Sequence, residues 1–249
     1  MTAHPRRVLL APGYILHHQP YRDTSRILEV LSRDHGRLTL FARGVRGPKP
    51  RFGGALQPFG LLLLSFHLGH EAGQLTGAES AESSSGLPAG SLLAGFYLNE
   101  LLLKLTTRHD PMPEVFGHYR RALEGLRAGE SVEAVLRIFE KRLLEAVGYG
   151  LDLISEARTG RTIEAGRFYR FRATEGLFPA DGDEANALAG SSLIALAREE
   201  LTAGRALEDA RRVLRAALAE RLEGKELTTR RVARALAGQG TPRPVKYPR

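Results

Sequence analysis

The spacing of apolar residues changes period once along this chain, and that change limits it to a sheet followed by helices. In residues 37–43, Leu38, Leu40 and Ala42 alternate with Arg37, Thr39, Phe41 and Arg43, the period of a half-buried strand. From residue 91 the period lengthens. Leu92, Leu93, Phe96, Tyr97, Leu98, Leu101, Leu102 and Leu105 recur at i, i+3 and i+4, as on a buried helix. Between the two lies AESSSGLPAG, residues 81–90, with the composition of a linker. A chain divided in this way belongs to the α+β class.

Before the linker the pattern predicts five short strands, over 6–17, 25–31, 37–43, 61–66 and 73–78. HQPYRDT (18–24), SRDHG (32–36) and HLGHEA (67–72) read as turns, and Pro12 within the first strand predicts a bulge or an edge. Five strands in a segment of this length fit a small barrel of the oligonucleotide/oligosaccharide-binding (OB) type, over 1–80. The helical part comes next, over 91–150. Its helices are predicted at 91–107, at 113–127 and from Ser131, a capping residue, to Gly148. Residues 151–190 lose periodicity except for a small hairpin over 168–178. C-terminal helices follow at 191–202, 206–222 and 228–237, the last with Thr228 as its expected cap. Residues 238–249 form a basic, Pro-rich tail.

Charge is partitioned along this layout. The net charge is +8, distributed as +7 over 1–60, −6 over 61–203 and +7 over 204–249. Two basic ends point to a polyphosphate partner, since cation–phosphate contacts release counterions. The densest cluster follows the third strand, where Arg43, Arg46, Lys49 and Arg51 occupy a loop rich in Gly and Pro. With Arg37, and with Phe41 and Phe52 as rings on which bases could stack, this stretch is the expected nucleic-acid surface. Arg205, Arg211, Arg212 and Arg215 crowd the start of a long helix, where cations oppose the dipole, which favours a binding role for them.

Catalytic and metal chemistry finds little support. The chain has no Cys, which excludes disulfides, thiol nucleophiles and thiolate zinc sites. It has no phosphate-binding loop and no dinucleotide fingerprint. His67-x-x-His70-Glu71 falls in a strand and turn rather than on a zinc-protease helix, and Asp181-Gly182-Asp183 lacks the other ligands of a calcium loop. Glu140 and Glu145 share a helix with Lys141 and Arg142, where local salt bridges account for them. Val8–Leu16 is short and broken by Pro12-Gly13, unlike a signal peptide, and no apolar run reaches the ~20 residues that span a bilayer. The expectation is a soluble cytoplasmic binding protein with no cofactor, no metal and no membrane contact.

Several segments, in order, resemble the RecO family of bacterial recombination mediators. They are YRDTSRILEV (21–30), HGRLTLFARGVRGPKPRFGGALQPF (35–59), FYLNELLLKL (96–105), LRIFEKRLLEAVGYG (136–150), YRFRATEGLF (169–178) and GKELTTRRVARAL (224–236). The Gly44–Phe59 segment ending GALQPF and the LRxFE…LLxxxGYG segment are the specific ones. The resemblance implies an N-terminal OB barrel, a central helical domain and a C-terminal region closing back on it. It also implies binding of single- and double-stranded DNA, annealing of complementary strands, and action with RecR to load RecA onto DNA coated by the single-strand-binding protein SSB. RecF is a further candidate partner, and the nucleoid the expected location. Many family members hold zinc through four Cys in the region matching roughly 153–180. Ser155 and Arg158 stand where the first pair is expected, so the chain resembles the zinc-free branch. The family binds the acidic, Phe-terminated tail of SSB. Its LRxFE motif falls on Leu136, Arg137, Phe139 and Glu140, which makes Arg137 the expected carboxylate contact, with Arg120, Arg121 and Lys141 as further cations. An OB-type RNA-binding factor is the alternative reading of the same basic charge.

Overall fold

The structure, a computed structural model, describes residues 6–46, 49–52, 54–69, 72–82, 86–182, 184, 186–202 and 204–238. Its first strand, β1 (Arg6–Tyr21), is long enough to serve two partners. The first half pairs with β4 (Leu62–Leu68) and the second with β2 (Ser25–Ser32), both antiparallel, and the change of partner falls at Gly13. A Cβ there would stand 2.9 Å from a Leu64 methyl, so a side chain at this bend would push into the barrel. β3 (Gly36–Ala42) pairs with β2 and meets β5 (Gly73–Ser80) through a short parallel contact at Leu40 and Phe41. The resulting order, β1-β2-β3-β5-β4, is a closed barrel. Closure leaves no free sheet edge. Ile15, Leu28, Val30, Leu38, Leu40, Leu64 and Phe66 fill the interior.

The turn expected over 18–24 is shorter than its composition suggests. His18–Tyr21 continue β1 opposite Leu28–Ser25, and the chain turns only over Arg22–Thr24. Ladder hydrogen bonds to β2 hold these residues extended although their side chains are polar. The β2–β3 turn ends at Gly36, whose φ of +68° and 2.2 Å virtual contact with the Asp110 carbonyl exclude any Cβ.

Among the described residues six α-helices follow, α1 (Leu92–Leu105), α2 (Pro113–Ala128), α3 (Val132–Ala146), α4 (Gly190–Arg198), α5 (Arg205–Arg221) and α6 (Thr228–Gly238). Pro113 opens α2 at a position that needs no N–H donor, and Gly129 closes it in the left-handed conformation. Ser131 accepts a hydrogen bond from Ala134 N at 3.4 Å, at the start of α3. Thr228 is not the cap of α6. Glu100 of α1 accepts from Thr228 N, Thr229 N and Thr229 Oγ1 at 2.7–2.9 Å, so a carboxylate from a distant helix satisfies the amides that start α6.

Between α3 and α4 the hairpin of β6 (Phe168–Arg172) and β7 (Gly176–Ala180) gains a third strand, β8 (Leu188–Ala189). Two residues are too few to show a period. Leu153, Ile163, Tyr169 and Leu177 anchor this region in the helical core. Asp152, which accepts from Ile154 N, Ser155 N and Ser155 Oγ, folds the turn that leads into it.

Barrel and helices share β1. Tyr14, Ile15 and Leu16 are 0%, 0% and 3% exposed. Successive strand residues point to opposite faces, so three buried in a row mean that both faces are covered. Ile15 packs in the barrel, while Tyr14 and Leu16 pack with Phe116, Tyr119 and Leu123 of the helical core. Asn99 of α1, 2% exposed, locks the joint: its Nδ2 donates to the Leu16 carbonyl (2.8 Å) and its Oδ1 accepts from Tyr119 OH (2.6 Å). Asn99→Ala orphans a buried carbonyl and a buried hydroxyl at once. It is expected to cost about 2–3 kcal/mol in urea unfolding, and a change below about 0.5 kcal/mol would show that the joint does not depend on this side chain.

Candidate nucleic-acid face and peptide groove

The basic loop after β3 is held down by its apolar residues, which leaves its cations outside. Val45 and Leu56 are buried in the barrel core, with Phe52 and Ala55 packed against it. Val45 N and Arg46 N both donate to the Thr24 carbonyl (2.8 and 3.0 Å), which ties the loop to the β1–β2 turn. Arg43, Arg46, Lys49 and Arg51 are exposed. Arg46 reaches the Arg22 carbonyl (3.4 Å), and Arg51 reaches the Thr76 carbonyl (3.1 Å) while stacking over Phe52. Phe41 lies half-buried on the outer barrel wall, 5.3 Å from the Tyr21 ring, and Arg22 stacks over Tyr21. Arg46, Arg22 and the Tyr21–Phe41 pair are thus linked on the outside of the barrel. Tyr21 and Arg22 join the set although sequence reasoning left them in a turn.

Arg37 is on the same outer face of β3 as Phe41, but its charge is already paired. Its guanidinium, 13% exposed, donates to Glu29 (3.0 Å) and to the Thr106 carbonyl (2.9 Å). Glu29 also accepts from Thr39 Oγ1 and Arg108. Arg37 therefore fastens the barrel to the segment that follows α1.

On the helical side α1, α3, α5 and α6 enclose a groove of about 400 Å³. Leu93, Tyr97 and Leu136 supply apolar wall, and Arg137, Arg211, Arg215, Arg230 and Arg234 supply cations. Two acids, Glu133 and Glu226, also line it, and Glu226 is paired with Arg234. Arg211 and Arg215, like Arg230 and Arg234, are four residues apart and so lie on one helix face. That spacing was the sequence signal for this site, but only packing shows that the two faces meet.

Below the groove Glu140 is fully buried. Its Oε1 accepts from Tyr97 OH (2.5 Å) and from Arg137 (2.9 Å), and Tyr97 OH in turn accepts from Arg230 (2.8 Å). Burial pushes the Glu140 carboxyl above the usual carboxylate range, against the pull of Arg137, the Tyr97 hydrogen bond, Arg230 and Arg211. Burial, reinforced by the Glu140 charge, also raises the Tyr97 phenol, which stays a neutral donor. Of the six buried side-chain atoms without a partner among the described residues, two lie here, Arg137 Nε and Glu140 Oε2. An unpaired guanidinium N–H in an apolar wall suits an anionic oxygen, because a charged donor gains most where water is excluded.

The other expected peptide contacts lie elsewhere. Phe139 is in the core, where its ring meets Tyr119 edge-on. Lys141 is buried and paired with Glu145 (3.0 Å) and Glu199 (2.9 Å), which joins α3 to α4. Arg120 pairs with Glu124 on the surface of α2, Arg121 is exposed there, and neither lines the groove. Glu145 does form the expected local salt bridges, with Lys141 and Arg142. Of the histidine motif, His67 is on β4, while His70 and Glu71 lie outside the described residues, as do Asp183 and residues 239–249 of the tail. Among the described residues no three His, Cys, Asp or Glu are grouped to hold a metal, and no helix is long and apolar enough to cross a membrane.

Comparison with known sequences gives one family over most of the chain. Residues 7–84 match the family model described as Recombination protein O N terminal, and residues 90–231 match Recombination protein O C terminal. The chain is 44% identical over 231 residues to the DNA repair protein RecO of Methylococcus capsulatus, covering 93% of this chain and 95% of that protein. It is 41% identical to the protein of the same name from Nitrosococcus oceani (90% and 92% covered) and 38% identical to that of Coxiella burnetii (90% and 97%).

The raised Glu140 carboxyl carries a pH signature. A carboxyl that binds its proton more tightly in the native than in the unfolded state lowers stability as pH rises above the ordinary carboxylate value. Glu140→Gln removes that contribution. Between pH 5 and pH 8, the urea midpoint of Glu140→Gln relative to wild type is expected to shift in favour of the variant. A shift the other way would mean that the surrounding arginines outweigh burial.

Proposed function

This chain belongs to the RecO family of DNA repair proteins, and on that premise we propose that it is a recombination mediator that works by binding. In this reading the barrel face holds single- or double-stranded DNA and promotes annealing of complementary strands. The groove holds the acidic, Phe-terminated tail of SSB, and together with RecR the protein helps load RecA onto SSB-coated DNA. The observation that carries the reading is the buried, unpaired Nε of Arg137 in an arginine-rich apolar groove. A peptide ending in an apolar residue needs a pocket for its side chain and a cation for its terminal carboxylate, and Leu93, Leu136 and Arg137 offer both. The DNA half is supported by Arg43, Arg46, Lys49 and Arg51, all exposed, and by the Tyr21–Phe41 pair, to which Arg46 is linked through Arg22. Phosphates would meet the cations, and bases would stack on the rings, each worth about 1–3 kcal/mol.

Two measurements test the halves separately. Arg46→Ala is expected to weaken binding of an oligothymidylate and to lower the slope of log K against log salt by about 0.7; an unchanged slope and affinity would remove the loop from the phosphate surface. Arg137→Ala is expected to weaken an acidic, Phe-terminated peptide about tenfold or more, the cost of a charge-assisted hydrogen bond in a dry site. Equal affinity would show that the carboxylate sits elsewhere.

A further inference from the structure

A second groove, of about 440 Å³, lies between α5 and the three-stranded sheet. Arg215 lines both grooves. On α5, Arg211 faces the first groove and Arg212, Ala216 and Ala219 face the second, with Arg215 on the shared rim. One helix therefore separates the two.

The second groove is built for an extended chain. β8 pairs with β6 only at Phe168 and Tyr169. Beyond them, Arg170 and Phe171 have β7 on one flank and, among the described residues, no strand on the other. The groove opens at that flank. An unpaired strand flank is a template for another extended backbone. Phe171, Leu188 and Val213 give the groove an apolar floor, and the small side chains of Ala216 and Ala219 leave room above it. Its charged lining is Arg170, Arg212 and Arg215, with no acid among the described lining residues. Asp209 and the Ala187 carbonyl hold the Arg212 guanidinium in place. A strand-forming occupant of such a groove carries carboxylates.

We propose that an acidic peptide anchored by its C-terminus in the first groove continues over Arg215 into the second, where its upstream residues add a strand to the free flank of β6 at Arg170 and Phe171. The proposal rests on the peptide reading of the first groove. The reach is short: α5 is about 10 Å across, a distance covered by about four extended residues. A nucleic-acid strand could use the same arginines but would have no use for a strand flank.

The test compares two acidic peptides ending in Phe, one of about five residues and one of about fifteen, by fluorescence anisotropy. Wild type is expected to bind the longer peptide about tenfold more tightly, because the upstream segment binds at high effective concentration once the end is held. Arg170→Ala and Ala216→Glu both change exposed residues that line only the second groove. Each is expected to abolish the gain and to leave the shorter peptide's affinity unchanged, whereas Arg137→Ala weakens both peptides. Equal binding of the two lengths by wild type, or a gain that survives both second-groove variants, overturns the proposal. So does a loss of oligothymidylate binding in Arg170→Ala with the peptide gain intact, which would assign the groove to nucleic acid. If the shorter peptide does not bind wild type, or binds Arg137→Ala equally well, the reading of the first groove itself fails.

Discussion

The structure depends on β1 being buried on both faces. A strand in an ordinary small barrel shows one face to its core and the other to solvent. Here Tyr14 and Leu16 leave the barrel core and enter the helical one, so the barrel wall is also part of the helical core. Buried apolar area of this kind is non-directional. The polar contacts fix the orientation: Asn99 bridges the Leu16 carbonyl and Tyr119, and Arg37 and Arg108 converge on Glu29. The basic loop and the arginine-lined groove, one before the linker and one after it, are thereby fixed on one body.

Arginine does three kinds of work in this molecule. Arg37 is a fastener, nearly buried, with its two terminal nitrogens bonded to Glu29 and the Thr106 carbonyl. Arg43, Arg46 and Arg51 lie on the surface, where an ion pair would be worth little and, in the proposed reading, a polyanion would meet them as a group. Arg137 is held by a buried carboxylate yet keeps one buried N–H without a partner. A buried ion pair is a poor source of stability, because desolvation offsets its attraction. That a fully buried glutamate lies under an open groove is therefore better explained by the orientation it imposes on Arg137 than by any gain in folding energy.

Much of the fold was legible in the residues. Alternation marked β3 and the interior Leu38, Leu40 and Ala42, and helical spacing marked each helix within a few residues. The shortfalls have specific causes. β1 ran on through His18–Tyr21 because a partner strand, not side-chain polarity, held it extended. β8 was too short to have a pattern, and α6 took its cap from Glu100, 128 residues earlier in the chain. The site was half legible. The loop cations stood out in the sequence as candidates and Arg137 was implied by the family resemblance, whereas Arg37, Phe139 and Lys141 turned out to be tied into the structure.

Sequence alone determined the kinds of element, their order and the two basic ends, because hydrophobic period and net charge are properties of neighbouring residues. Tertiary structure decided which charges are free and which are paired, and that α1, α3, α5 and α6 bring five arginines around one groove. The reason is physical. An arginine's partner is whatever acceptor the fold carries to within about 3 Å, and for the arginines that join the barrel to the helices that acceptor comes from far off in the chain, as Glu29 does for Arg108 and the Thr106 carbonyl does for Arg37.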